Sequence, residues 1–202
     1  MSFLVSFASF FVLQAFDLLS VWSIAGVFIL IMAVLFIPLL FTTMFETDVD
    51  KVERFLLRNK KNLNFYMIYA LAHQEDDQVK NLTEKLIKKS KNPTRKALYQ
   101  VVEALYFDDV VKAKAQLEQI TLAEYRAYYE AAVLLKEGHV EEARVLAGQF
   151  KKPWMRETVL AEVEKESGNP DAGQKHMEKA IESCRGLQRY TLHKTYERDF
   201  AS

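Results

Sequence analysis

The chain has 202 residues, half of them hydrophobic, with 27 basic and 27 acidic side chains that cancel at neutral pH and a single cysteine, Cys184. One cysteine excludes an intramolecular disulfide and leaves a Cys/His zinc set incomplete. The cancelling charge hides an uneven distribution: residues 1–45 carry one charged side chain, Asp17, and every Lys and Arg lies at Lys51 or beyond.

Phe3 to Phe16 is a first apolar run of 14 residues. It is short for a membrane span and lacks the charged start and small-residue cleavage site of a signal peptide. Two readings stay open. It forms a short helix that turns around Asp17 to Ser20 into a helical hairpin, or it lies in the membrane interface ahead of a single span. Leu18 to Phe45 follows, 28 residues without a charge. As a helix at ~1.5 Å per residue this segment reaches about 42 Å, against ~30 Å of hydrocarbon. A transmembrane helix is expected here, kinked at Pro38. Residues 1–45 are therefore assigned as a hydrophobic anchor.

Lys51, Arg54, Arg58, Lys60 and Lys61 crowd the downstream flank, and no base precedes the span. Basic flanks stay on the cytoplasmic side, so an integral membrane protein with a cytoplasmic C-terminal domain is expected. Residues 46–61 read as a basic juxtamembrane helix or linker, and 62–202 as the domain proper. Beyond Asp50 there are 23 acids against 27 bases, a mild surplus suited to an ordinary cytosolic surface. The soluble part is long enough to bury a core of its own.

From Asp48 onward the apolar residues recur at helical spacing, without strand-like alternation. Val52, Phe55 and Leu56 are followed by a break at Asn59 to Asn62; then come Phe65, Ile68, Tyr69 and Ala72, and after the acids Val79, Leu82 and Leu86. Pro93, Pro153 and Pro170 suit helix first turns, where a missing N–H is tolerated, and Asn169 is a good N-cap before Pro170. Helices are expected over 122–137 and 140–150. Between them lies Gly138-His139-Val140-Glu141-Glu142-Ala143, with related segments at Asp108 to Ala113, Gly168 to Gly173 and, more weakly, Glu75 to Lys80. A helix–turn–helix unit of this period cannot bury its apolar face alone, so successive units must stack.

The turn Gly138 through Ala143 resembles that of the tetratricopeptide repeat family. Ala143 corresponds to the family's small residue on the second helix and Ala131 to that on the first. Ala113 and Gly173 match the second-helix position in neighbouring repeats, and Ala161 the first-helix position in the last. The spacing of 30 to 33, the acids Glu130 and Glu157 where the family has large apolar residues, and Lys80 in place of alanine depart from the pattern. The resemblance covers residues 62–184 and implies an all-α fold, an α-α solenoid whose first helices line a concave peptide-binding groove.

No phosphate-cradling glycine loop, no His pair at i, i+4 and no Gly-x-Ser-x-Gly elbow is present, so no catalytic residue, cofactor or metal site is assigned and the chain is not read as an enzyme. Two surfaces remain. On the repeat register, Phe65, Tyr69, Arg95, Leu98, Val102, Tyr125 and Tyr128 would face the groove; the competing reading places the aromatics in the interhelix core. Lys85, Lys88, Lys89, Lys91, Arg95 and Lys96, with Lys80, form a basic cluster that could meet anionic lipid or be a solvated helix end. No helix interleaves bases with exposed aromatics, so nucleic acid is not an expected partner. The expectation is a membrane-anchored, cytoplasm-facing adaptor that binds another, membrane-associated protein, with lipid contacted through the anchor. The alternative is a small accessory subunit that docks through its span, on the small residues Ser23, Ala25, Gly26 and Ala33.

Overall fold

The computed structural model describes residues 21–201, so the run Phe3 to Phe16 and the choice between hairpin and single span lie outside the described residues. Among the described residues there are eleven α-helices and no strand. The chain divides at Phe41/Thr42 into two compact units.

Helix α1, Val21–Met44, runs 24 residues, continues through Pro38 and carries no acid or base in its terminal turns. Its stretch Ser23–Met44 is long and apolar enough to cross a membrane. Large apolar side chains stay exposed along it: Phe28 is 62%, Ile29 66% and Val34 65% accessible. In water such an array would carry a heavy solvation cost; in hydrocarbon it carries none.

The second unit opens with α2, Val49–Arg58, followed by four helical hairpins. These are α3 (Leu63–Ala72) with α4 (Asp76–Lys89), and α5 (Pro93–Tyr106) with α6 (Val110–Leu117). Then come α7 (Ala123–Lys136) with α8 (Val140–Ala147), and α9 (Pro153–Glu166) with α10 (Pro170–Glu182). Within each hairpin the two helices pack together, and each second helix packs on the first helix of the next. Pro93, Pro153 and Pro170 each open a helix. Asn169 holds the N-cap place but makes no side-chain cap bond; its amide donates to Glu164 instead, at 3.1 Å. The expected helix over 140–150 stops at Ala147.

All four hairpins turn alike. One residue takes the left-handed conformation, Gln74, Asp108, Gly138 and Gly168 in turn, at φ 54°, 57°, 81° and 81°. The next residue's N–H then reaches back to the fifth carbonyl before it: Glu75 to Ala70, Asp109 to Ala104, His139 to Leu134 and Asn169 to Glu164, at 2.8–2.9 Å. This is the Schellman closure that satisfies a helix C-terminus. The shared turn corrects the sequence register by one residue in the first hairpin. Gln74, not Glu75, is the counterpart of Asp108, Gly138 and Gly168, and Val79, not Lys80, stands where Ala113, Ala143 and Gly173 stand. Val79, Ala113 and Ala143 are each fully buried. A glutamine in the left-handed position carries no glycine signal, which is why the register slipped there.

The final helix, α11 (Gly186–Asp199), packs on α10 and returns to α2 and α3. Gly186 at φ 57° brings its N–H to Glu46 O at 2.7 Å, and Arg189 donates to Thr47 O at 3.1 Å. Tyr190 is buried between Val52 and Leu56. Lys194 bridges Glu53 at 3.2 Å and Glu197 at 3.0 Å, while Tyr190 Oη and His73 Nε2 lie 3.3 Å apart. Residues 46–61, expected as a basic juxtamembrane helix or linker, contain α2, which packs on α3 and α11.

Candidate functional site

Two helix C-termini and two helix N-termini meet at one edge of the unit. α2 ends at Arg58 and α4 at Lys89, both with bases in their last turns, as the helix dipole favours. α3 and α5 begin beside them, capped by Asn62 and Asn92, whose side chains accept from Asn64 N and Arg95 N at 3.0 Å. Between these four ends lies a cleft of about 650 Å³. Its charged lining is Arg58, Lys61, Lys89 and Arg95, and no carboxylate lines it. Tyr99 Oη donates to Asn64 Oδ1 at 2.6 Å across the wall. Burial pushes the Tyr99 phenol above its ordinary pKa, against the nearby Arg95.

The expected basic cluster is split by this arrangement. Lys89 and Arg95 line the cleft; Lys85, Lys88 and Lys91 are exposed outside it, Lys96 is half-buried, and Lys80 sits over the Phe107 ring at 4.7 Å. Arg58, Lys61 and Asn64 belong to neither surface expected from the sequence. The signal was the break Asn59 to Asn62, where Arg58 and Lys61 were read only as flanking charge.

The expected aromatic row is distributed over several core clusters. Phe65 packs edge-on against Phe55 at 5.1 Å, and Tyr69 stacks on His73 at 4.2 Å, both beside Val52, Leu56 and Tyr190. Leu98 packs on Ala97 and Val101, and Val102 on Val79 and Leu82. Tyr125 is half-buried beneath Lys152 Nζ at 4.4 Å. Tyr128 lies edge-on to Trp154 at 5.3 Å and near Phe150 at 6.3 Å. Burial raises its phenol pKa and lifts Tyr129 to about 12. Arg95 alone of the seven is exposed. The other six are partly buried; the first helices α5, α7 and α9 touch one another in succession, and α11 packs on α3.

One buried acid is neutralised locally. Glu157, 8% exposed, takes hydrogen bonds from Arg156 at 3.0 Å and pairs with His176 Nδ1 at 2.8 Å, tying α9 to α10. Burial pushes its carboxyl up, but these partners outweigh burial and hold it below the ordinary carboxylate value. Cys184 is buried, and burial pushes its thiol up, away from the reactive thiolate. Among the described residues no three His, Cys, Asp or Glu side chains converge as a metal site would need.

No protein-family model matches the chain, and no curated protein or solved structure shows significant similarity to it.

Proposed function

We propose that the protein is a membrane-anchored adaptor: α1 holds the chain in a bilayer, and the helical unit, on the cytoplasmic side, binds another protein of the same membrane in the manner of a tetratricopeptide-like stack. The observation that carries this reading is the joining, in one chain, of a bare apolar helix to four hairpins that share one turn geometry. Supporting features are the half-buried Tyr125 and the exposed apolar side chains Val111 at 83%, Val145 at 67% and Leu122 at 53%. Tyrosine brings large contact area with few rotors, which suits a binding surface. Anchoring raises the effective concentration of the unit towards partners in the same membrane without any new contact.

The accessory-subunit alternative has its own observation: among the described residues a Cβ added at Gly26 would meet nothing within 4 Å, which leaves room there for a close helix–helix approach. Photo-crosslinking in native membranes separates the two. Probes at Val111, Tyr125 and Val145 of the full chain are expected to capture one defined protein, and probes at Gly26 and Ala33 are not. Adducts arising only from the α1 positions would replace the adaptor reading by the alternative.

A further inference from the structure

We propose that the cleft between the ends of α2 and α4 and the starts of α3 and α5 is a binding site for a phosphate-bearing group. Four cations line it and no acid does. Among the described residues none of the four has an ion-pair partner, and no acid lines the cleft to supply one, whereas several bases elsewhere in the unit meet an acid from a neighbouring segment. Lys114 meets Glu137 at 2.9 Å, Lys112 meets Glu103 at 2.7 Å and Lys152 meets Glu124 at 3.0 Å. Like charges gathered in one concavity focus a positive field that a mobile anion relieves.

The neutral lining adds directed donors. Asn64 Oδ1 is already occupied by the Tyr99 hydroxyl, which leaves the N–H groups of the same amide to donate. The first turn of the ten-residue α3 also lines the cleft; its Asn64 N–H is taken by the Asn62 cap, so this helix start contributes through its dipole. Two of the four cations are arginines, whose planar forks match phosphate oxygens pairwise. A phosphate monoester carries about −1.5 to −2 charge near neutral pH, closer to the cationic lining than a single carboxylate. The cleft, at about 650 Å³, has the size of a small-molecule site and so has room for the sugar, glycerol or other body that bears the phosphate.

Two sources offer this chemistry, a lipid headgroup and a soluble phosphate ester. The full chain reconstituted in phosphatidylcholine nanodiscs would be labelled with an amine-acylating reagent and the rate at each lysine read by mass spectrometry. Two probes are then added separately: inorganic phosphate in solution, and phosphatidic acid in the disc. Labelling of Lys61 and Lys89 is expected to fall by roughly threefold when the probe stands at twice its Kd. Lys88 and Lys114 should be unchanged, and Arg58→Gln and Arg95→Gln should each weaken the protection without altering helix content. Protection by phosphatidic acid alone assigns the site to a headgroup, and protection by inorganic phosphate assigns it to a soluble ester. Unchanged labelling with both probes, or protection spread equally to Lys88 and Lys114, overturns the proposal.

Discussion

Exchanging the residues at two of the four equivalent turns tests whether they are equivalent. Gly138 sits at φ 81° with open space where a Cβ would be, so an added methyl meets only the backbone penalty of the left-handed conformation. That penalty is roughly 1–2 kcal/mol for an L side chain. Stiffening the unfolded chain returns about 0.4–1 kcal/mol, so Gly138→Ala should lose about 0.5–1 kcal/mol net. Gln74, at φ 54°, is the mirror case: Gln74→Gly should gain a similar amount by removing the same strain. For a chain of this size each kcal/mol moves the midpoint by about 2–4 °C. Thermal melts of the full chain in neutral detergent, followed by far-UV circular dichroism, should therefore show a fall of a few degrees for the first and a comparable rise for the second. Gln74→Gly lowering the midpoint, as glycine does inside a helix, would refute the corrected register and with it the common turn.

In Gly173→Ala the new Cβ would lie 2.8 Å from Ala161 O, so overpacking of about 1–3 kcal/mol outweighs a helix-propensity gain of about 1 kcal/mol; a midpoint raised by the full propensity gain would contradict the close α9–α10 approach. Tyr128→Ala removes a ring held against Trp154 and Phe150 and should lose about 3 kcal/mol of stability in the same melt; an unchanged midpoint would instead mark Tyr128 as a surface residue. Glu157 has a folded pKa below its ordinary value, so the stability it contributes is complete above about pH 4.5 and is lost as pH falls through the depressed folded value. Glu157→Gln should therefore lose about 1.5–3 kcal/mol at neutral pH, with the difference from the parent chain narrowing in acid; a difference independent of pH would exclude the charge as its source. A reporter active only outside the cytoplasm, fused after Ser202, should be silent; activity there would reverse the orientation drawn from Lys51 to Lys61.

Features set by near neighbours in the chain were legible without coordinates. An uncharged run is apolar whatever it later packs against, and α1 lies where that run lies. The prolines at 93, 153 and 170 open helices because a missing N–H is harmless only in a first turn. Gly138 and Gly168 marked their turns because glycine adopts the left-handed backbone freely. Gln74 and Asp108 make the same turn without that mark, and the first hairpin was misread by one residue as a result.

What distant segments do to one another was not legible. The four cations of the cleft come from three stretches of sequence, at 58–61, 89 and 95, and only the stacking of α2 to α5 brings them together. The aromatics of the first helices read equally well as groove or core, because periodicity says which residues share a face and not what that face meets. The return of α11 to α2 and α3 joins segments more than a hundred residues apart. Local hydrogen bonds and apolar period are written within a few residues, so the sequence by itself determined the long apolar helix, the other helices and most of their ends. The meeting of helix ends far apart in the chain is a property of the whole packed unit, and only the tertiary structure decided the cleft and the closure.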